Sequence, residues 1–377
     1  MTLKVTKQFF RYGESPNEQL LESGLKLGPI TIAYETLGEL NENKDNAILI
    51  CHALTGDSHV AGHYKEETND SPAGWWDFMV GPDKGIDTNQ YFVICCNILG
   101  SCMGSTGPAS INPETNTPYG LNFPMVTIGD MVDSQKHLLD HLGIKKLHSV
   151  IGGSVGGMQV LEWCIRYPEM VTSAIPIATT MRHSALAIAF NEVARQAIMA
   201  DPDWNKGDYY KDAGPHHGLA VARMIGHVTY LSDEAMRRKF GRQLQDKEDF
   251  SFSFAGDFQV ESYLHHQGSK FVKRFDANSV LYLTKAADYF DLKSAEHTDE
   301  SLHDLSGNNS KFLVISYTSD WLYPTYQARE LVQALKRNRQ DVSFCEIEAD
   351  CGHDAFLIED KRLSNLIKGF LDGVTKL

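Results

Sequence analysis

Short apolar runs alternate with amphipathic stretches along the first half of the chain, and this alternation constrains the fold more than any other feature. Several runs are continuously apolar and rich in β-branched residues, which is typical of strands covered on both faces of a sheet. The stretches MVDSQKHLLDHLGI and MQVLEWCIRYP have helical spacing and end at Gly or Pro. The predicted strands are ITIAYETL from Ile30, AILICHAL from Ala47, YFVICCNI from Tyr91, LHSVIGG from Leu147 and SAIPIA from Ser173. The predicted fold class is therefore α/β, with a mostly parallel central sheet.

The alternation stops after residue 181 and returns at residue 311 with KFLVISYTSD, a helix from about Thr325, VSFCEIEADCGHD and a terminal helix. The segments between have helical periodicity without a convincing strand pattern, as in ALAIAFNEVARQAIMA and LAVARMIGHVTYLS. We predict one α/β core formed by residues 1–181 and 311–377 and a helical insertion at 182–310. A long insertion between core strands is a common way to build a lid over a site.

Charge and cysteine usage limit the partners and the compartment. The formal net charge of −14 opposes general binding to nucleic acid or to an anionic membrane, because Lys and Arg supply that attraction. No segment has the eighteen or so apolar residues of a membrane helix. The seven cysteines have no repeated spacing and several lie in apolar runs, so buried reduced thiols are expected. We predict a cytoplasmic protein that binds small molecules, with no nucleic acid or membrane partner.

The segment GGSVGG contains Gly152, Ser154 and Gly156 in the spacing of a nucleophile elbow. It lies between a predicted strand and a predicted helix, where glycines permit the tight turn that exposes a serine Oγ above the sheet. The alternative is a structural turn or a phosphate-binding loop, since Gly and Ser are common in both. In this context the nucleophile is the favoured interpretation of Ser154.

A serine nucleophile needs a base and an acid. In folds with this elbow, the acid follows the serine along the chain and the histidine comes last. His353 follows a late strand in CGHDAF, and Asp320 ends the strand in VISYTSDWLYP. Asp350 and Glu348 compete with Asp320 but lead directly into His353. The alternatives are a surface-loop histidine and, for Asp320, a cap on the helix near Pro324.

Acyl transfer also requires donors to the oxyanion. We predict the backbone N–H groups of Val155, directly after the nucleophile, and of Leu54, in the loop after AILICHAL. An ordinary glycine-containing loop would explain Gly56 equally well. The histidine spacings, such as His59 and His63 around Gly62, do not match a metal motif, so no metal site is predicted. No phosphate-binding fingerprint in a strand–turn–helix setting is present either.

Nine segments along nearly the whole chain identify a family resemblance. They are LESG, AYETLG, CHALTGDSHVAG, GWWDFMVGPDKGIDT, GSTGPASINP, GGSVGGMQVLEW, ARMIGHVTYLS, SDWLYP and GHDAFL. In these the chain resembles the homoserine O-acetyltransferases of the α/β-hydrolase type. The resemblance implies an α/β-hydrolase fold with Ser154 as nucleophile, His353 as base and Asp320 as the orienting acid. It also implies a homodimer.

The resemblance further implies which residues bind the amino acid. Arg223 and Tyr230 would hold its carboxylate and Asp354 its ammonium group, with Thr55 in the same pocket. On spacing alone Arg223 and Tyr230 only share a helix face, and Asp354 could cap a turn. The chain departs from the family pattern at Val155, where the elbow usually has Met, and at Thr325, where a second proline is frequent. The first change could reshape the acyl pocket.

The resemblance predicts a double displacement through an acyl-serine, with acetyl-CoA as the donor substrate, L-homoserine as the acceptor and no permanently bound cofactor. The product, O-acetyl-L-homoserine, would feed methionine biosynthesis. Three alternatives share the triad: a succinyl-CoA-dependent transferase, a serine O-acyltransferase and a serine esterase. A fourth alternative is a protein of the same fold that only binds a ligand. NILGSCMGSTG offers no basic partner for a succinyl carboxylate, which favours acetyl.

Overall fold

The computed structural model describes residues 3–65, 72–292 and 308–375, and its centre is an eight-stranded sheet. The strands are, in chain order, β1 (Gln8–Tyr12), β2 (Ile30–Leu37), β3 (Ala47–Cys51), β4 (Phe92–Cys96), β5 (Ser149–Gly153), β6 (Ser173–Ile177), β7 (Lys311–Tyr317) and β8 (Asp341–Ile347). In space they follow the order β1-β2-β4-β3-β5-β6-β7-β8. The neighbouring strands from β4 through β3, β5, β6 and β7 to β8 pair in parallel. At the other edge, β2 pairs antiparallel with β4, and β1 pairs antiparallel with β2. This arrangement confirms the predicted fold class.

The nine helices of the described residues were mostly anticipated by periodicity. They are α1 (Ile128–His141), α2 (Val155–Arg166), α3 (Ala185–Met199), α4 (His216–Tyr230), α5 (Asp233–Lys239), α6 (Gln259–Val272), α7 (Ala277–Asp288), α8 (Thr325–Arg337) and α9 (Lys361–Thr375). Thr127 begins α1 through a reciprocal capping box with Asp130, which satisfies two otherwise free N–H groups. In the described residues, none of the helices is long and apolar enough to cross a bilayer.

Both faces of the sheet are covered, which explains why the central strands are continuously apolar. All five residues of β3 are buried. Leu49 packs into a core with α1 and α2, while Ile48 and Ile50 pack into a second core with α9. Each fully buried aliphatic side chain contributes about 1.5–3 kcal/mol of transfer free energy. The sheet is therefore a rigid support for the loops at its edge.

Helices α3 to α7 lie between β6 and β7, where the helical insertion was predicted. Within the described part of 182–310, pairing is limited to isolated bridges, Arg182 with Asp291 and Leu244 with Phe258. Helix α4 packs closely on α3, because a Cβ on Gly218 would lie 2.4 Å from the Ala197 carbonyl oxygen. The division into core and lid remains a prediction, and residues 293–307 lie outside the described part.

Smaller elements complete the fold. Four two-residue ladders pair Lys4–Val5 with His63–Tyr64, Gln19–Leu20 with Lys26–Leu27, Val80–Gly81 with Ile86–Asp87, and Ile111–Asn112 with Thr117–Pro118. Short 3₁₀ segments occur at Gly120–Asn122, Pro168–Met170, Pro202–Gly207 and His353–Leu357, the third of them kinked at Asn205 and Lys206. All seven cysteines are free, as expected, but the prediction that they are buried is wrong for Cys102, Cys345 and Cys351, which are half-buried. These three lie in or beside loops and the sheet-edge strand β8.

Candidate active site

Ser154 sits in the sharp turn between β5 and α2. Its backbone has φ 60° and ψ −124°, a region that residues with a side chain rarely adopt. The turn is close-packed on both sides: a Cβ on Gly152 would lie 2.4 Å from the Gly156 carbonyl oxygen, and one on Gly156 would lie 2.1 Å from that of Cys51. Only glycine fits at these two positions, and the elbow predicted from GGSVGG is the conformation observed.

A continuous hydrogen-bond chain runs from Ser154 through His353 to Asp320. The Ser154 hydroxyl donates to His353 Nε2 at 2.9 Å, and His353 Nδ1–H donates to Asp320 Oδ2 at 2.7 Å. The other carboxylate oxygen of Asp320 accepts the backbone N–H groups of Leu322 and Tyr323 at 3.0 and 2.9 Å. All three side chains are buried, so the chain has the geometry of a nucleophile, base and acid.

The electrostatic setting favours a basic imidazole at His353. Burial alone lowers the pKa of His353, but the charge of Asp320, its hydrogen bond and the charge of Asp354 together raise that pKa above its ordinary value. A more basic imidazole accepts the serine proton more readily. The site is therefore suited to activating Ser154.

One competing acid, Asp350, has a partner elsewhere. Asp350 forms an ion pair with Arg238 at the surface. Asp320 does not cap α8, whose N-cap residue is Pro324 without a side-chain bond. The geometry thus matches Asp320 rather than Asp350 as the partner of His353, although the roles assigned to these residues remain predictions.

A cleft with about 740 Å³ of empty space, partly open to solvent, begins at Ser154. Its walls include Leu54 and Val155, the two predicted oxyanion donors. Among the described residues, no acceptor is found for the backbone N–H of either one. Two free N–H groups beside a buried serine are what an oxyanion requires.

The predicted substrate-binding residues lie in one region, with one exception. Arg223, Tyr230 and Thr55 line the cleft, and Arg223 Nη1 donates to Thr55 Oγ1 at 3.3 Å. The Arg223 guanidinium lies 4.8 Å from the ring centroid of Phe271 and 5.8 Å from that of Tyr230. These contacts orient the guanidinium. Among the described residues that line the cleft there is no Asp or Glu to pair with it.

Asp354 is the exception, because it is not among the described residues that line the cleft. It is the second residue of the 3₁₀ turn His353–Leu357 and is half-buried. Burial raises its pKa, while His353 and Arg223 act in the opposite direction. Asp354 therefore interacts electrostatically with His353 and Arg223, although it lies outside the cleft wall.

Three residues that the sequence did not single out also belong to this region. Tyr323 and His183 line the cleft, and Asp288 contacts His183. His183 lies in the segment after β6 and Tyr323 in the segment after β7. Their position after parallel strands was the one available signal, since ligands bind at the carboxyl edge of such sheets.

Comparisons with known proteins agree with this fold. The family model for the α/β-hydrolase fold matches residues 46–360. A homoserine O-acetyltransferase from Desulfotalea psychrophila is 68% identical over 98% of this chain and 95% of the relative. The crystal structure of a homoserine O-acetyltransferase from Bacillus anthracis matches with a TM-score of 0.89, 30% identity and 98% coverage of both chains. The crystal structure of esterase E22 matches with a TM-score of 0.85 and 31% identity, covering 97% of this chain and 100% of the esterase.

Proposed function

Because the chain belongs to the α/β-hydrolase-fold family and, within it, to the homoserine O-acetyltransferases, we propose that it transfers an acetyl group from acetyl-CoA to the hydroxyl of L-homoserine. The observation that carries this proposal is the hydrogen-bond chain of 2.9 and 2.7 Å that joins Ser154, His353 and Asp320. The products are CoA and O-acetyl-L-homoserine, an intermediate for methionine biosynthesis. The enzyme needs no permanently bound cofactor for this chemistry.

In the first half-reaction, His353 accepts the Ser154 proton while Oγ attacks the thioester carbonyl carbon. The N–H groups of Leu54 and Val155 stabilise the oxyanion, and one such donor contributes about a hundredfold or more in rate. Protonated His353 then gives its proton to the departing CoA sulfur. The acetyl group is left as an ester on Ser154.

In the second half-reaction, the homoserine hydroxyl attacks this ester with His353 again as the base. Water competes for the same ester. A well-oriented bound nucleophile reaches an effective molarity of about 10⁵ M, against roughly 55 M for water, so positioning favours transfer about a thousandfold. Arg223, Tyr230 and Thr55 supply that positioning for the carboxylate end, and Asp354 supplies charge for the ammonium group.

The cleft supports acetyl rather than succinyl as the acyl group. Among the described residues that line the cleft, Arg223 is the only one with a Lys or Arg side chain. If its guanidinium binds the homoserine carboxylate, no second cation in the described wall remains for a succinyl carboxylate. Burying a carboxylate in this cleft without such a partner would be costly.

A serine esterase is the second candidate function, favoured by the similarity to a crystallised esterase of the same fold. The Arg223→Ala variant separates the two. We expect it to raise the ratio of acetyl-CoA hydrolysis to transfer and to lower transfer about 10- to 100-fold, as for the loss of a charge-assisted contact. The matched control is Arg238→Ala, which removes an exposed arginine outside the cleft. Unchanged transfer by Arg223→Ala would contradict its assignment.

The decisive measurement is CoA release by purified protein, followed with a thiol reagent. Acetyl-CoA or succinyl-CoA is supplied with or without L-homoserine or L-serine. The proposal requires homoserine-dependent release from acetyl-CoA that disappears in Ser154→Ala. Release without any amino acid would identify an esterase, and preference for succinyl-CoA or serine would change the substrate.

The proposal includes a homodimer in a reducing cytoplasm. Apolar side chains are exposed at Leu186 and Val193 on α3 and at Val221 and Val228 on α4. Each pair is seven residues apart, so each shares a helix face, and α3 packs on α4. Seven free thiols are consistent with a reducing compartment.

A further inference from the structure

His52 is the first residue after β3, and its imidazole bridges two segments of backbone. The ring is buried, and its Nδ1 lies 2.7 Å from the carbonyl oxygen of Ala53. Its Nε2 accepts the backbone N–H of Ile98, two residues after β4, at 3.2 Å. No step of the proposed acetyl transfer uses this histidine, although the proposed oxyanion donor Leu54 is only two residues away.

The contacts of the ring determine where its proton lies. The Ile98 N–H donates to Nε2, so that nitrogen carries no proton and the ring is neutral. The one proton of the neutral ring is then on Nδ1, which faces the carbonyl oxygen of Ala53, a group that only accepts. Burial also lowers the pKa of His52, which favours the same neutral form. His52 Nδ1–H therefore donates to Ala53 O.

That hydrogen bond determines the orientation of a peptide group beside the cleft. The C=O of Ala53 and the N–H of Leu54 belong to one peptide, which is planar and trans, so they point in opposite directions. Ala53 O accepts a second hydrogen bond, from the N–H of Gly56 at 2.9 Å. Two donors therefore hold the oxygen on one side and turn the Leu54 N–H to the other. Leu54 itself lines the cleft together with Ser154.

Gly56 allows this turn to close on the imidazole. A Cβ at position 56 would lie 2.9 Å from His52 Cβ and 3.0 Å from its Nδ1, so a side chain there would displace the ring. The backbone of His52 also contacts the helix after the elbow, because Gln159 Nε2 donates to its carbonyl oxygen at 3.3 Å. His52 thus connects the loop of one proposed donor, Leu54, with the helix that begins at the other, Val155.

We propose that His52 is a positioning residue that holds the Ala53–Leu54 peptide so that its N–H faces the oxyanion formed at Ser154. The inference rests on the proposed function, because it requires an acyl-serine and an oxyanion stabilised by Leu54. A buried imidazole suits this role, since one edge of a rigid ring is anchored while the other donates. Donors that are fixed before the reaction are effective because they need no reorganisation when the charge develops.

Two amide side chains can separate the two bonds of the ring. In His52→Asn the amide reaches the place of Nδ1, so its NH₂ still donates to Ala53 O while the acceptor for Ile98 is lost. In His52→Gln the amide reaches the place of Nε2, so its oxygen still accepts from Ile98 while the donor to Ala53 O is lost. Each variant loses one hydrogen bond, and the two differ in which peptide is released. The matched control is His148→Gln, at another buried histidine, which lies directly before β5 with its Nε2 3.3 Å from Leu371 O.

The rate of acetylation is measured as the burst of nitrophenolate from p-nitrophenyl acetate, which needs no homoserine. We expect His52→Gln to slow the burst about tenfold. This is less than the loss of about a hundredfold or more for an entire oxyanion donor, because the Gly56 N–H still donates to Ala53 O. His52→Asn should stay within about threefold of the wild-type rate. His148→Gln should leave the rate unchanged, whatever its melting transition.

Inhibition by trifluoroacetone gives a readout that a loss of stability alone would not change. The Ser154 oxygen adds to the ketone carbonyl carbon, His353 accepts the serine proton, and the carbonyl oxygen becomes an oxyanion with no leaving group to expel. The affinity of this adduct therefore reports the oxyanion contacts. His52→Gln should weaken inhibition by the same factor as it slows acetylation, about tenfold. His52→Asn should leave inhibition close to that of the wild-type protein.

The outcomes distinguish the inference from its premise. A burst that is absent from the wild-type protein, or that persists in Ser154→Ala, contradicts the proposed function and the inference with it. Given a Ser154-dependent burst, an unchanged rate in His52→Gln, or an equal loss in His52→Asn, overturns the inference alone. If His52→Gln does not fold, the crystal structure of the wild-type trifluoroacetone adduct decides. The inference requires the oxyanion within about 3.1 Å of Leu54 N while Ala53 O stays on His52 Nδ1, and an oxyanion bound elsewhere overturns it.

Discussion

Ser154 keeps its unusual backbone because its neighbours leave no alternative. The positive φ costs of the order of 1–3 kcal/mol, and such strain persists only where the surroundings over-determine it. Here the backbone N–H of Ser154 donates to Ile177 O at 2.9 Å, and glycines at 152 and 156 approach other carbonyls closely. The serine hydroxyl is thereby presented to His353 at a fixed position.

Asp320 is expected to be the acid that the reaction needs. In Asp320→Asn the amide cannot reproduce a carboxylate that accepts from His353 on one oxygen and from two backbone N–H groups on the other. We expect homoserine-dependent CoA release to fall by about 10³–10⁴. Glu348→Gln, which removes a competing carboxylate, is the control and should retain activity. A larger loss in the control would reassign the acid.

The charge of Asp354 should be visible in a pH profile. His353 is a base only when deprotonated, so its raised pKa makes acetylation fall off as pH drops through a value above the ordinary one, about 6.5. Asp354→Asn removes one of the charges that raise this pKa, and the acid limb should move to lower pH. Acetylation by p-nitrophenyl acetate measures this without homoserine. Asp350→Asn is the control, and an upward shift in Asp354→Asn would refute the coupling.

The contacts that join Ser154, His353 and Asp320 were anticipated from sequence, but the contacts of His183 with Asp288 and Tyr323 were not. Ser154, Asp320 and His353 follow a known chain order and each lies after a strand. His183 is 105 residues from Asp288 and 140 from Tyr323, so no local spacing links them. Only the tertiary packing brings these three residues into contact.

Helix α4 depends on its contact with α3, and that contact can be tested. In Gly218→Ala the new Cβ would meet the Ala197 carbonyl, so α4 must shift and carry Arg223 and Tyr230 with it. We expect a several-fold higher KM for homoserine and a loss of about 1–3 kcal/mol in unfolding free energy. Gly369→Ala in α9 is the matched control.

At Gly369 a Cβ would have open space, so alanine should leave KM unchanged and stabilise the protein by up to about 1 kcal/mol. Chemical denaturation and steady-state kinetics measure both effects. Similar KM values for Gly218→Ala and the wild-type protein would show that α4 does not set the position of the homoserine site.

Elements with strong periodicity were predicted well, and weak ones were missed. Strand β2 begins and ends where its apolar run predicts, at Ile30 and Leu37. Strand β1, QFFRY, escaped notice because it is a half-exposed edge strand. Helix α5, DEAMRRK, is short and highly charged, so it has little apolar periodicity. The order of the strands in the sheet was not predicted either, because contacts between distant segments determine it.

At the level of the whole molecule, the proposed dimer should depend on the outer faces of α3 and α4. Val193 and Val228 are 55% and 43% exposed, and burying such side chains against a second copy would be favourable. We expect light scattering to report a dimer for the wild-type protein and a monomer for Val193→Asp/Val228→Asp. Ile111→Asp, at a similarly exposed apolar position outside both helices, should remain dimeric. A monomeric wild-type protein would end this proposal.

The order of segments in the sheet also bears on synthesis of the protein. Ser154 follows β5, but its proposed acid and base, Asp320 and His353, follow β7 and β8, beyond the helices inserted after β6. A nascent chain emerging from the ribosome can therefore form the elbow well before either partner exists. Until β7 and β8 dock, Ser154 lacks its proposed base, so we expect that incomplete chains would not carry out the proposed acetyl transfer.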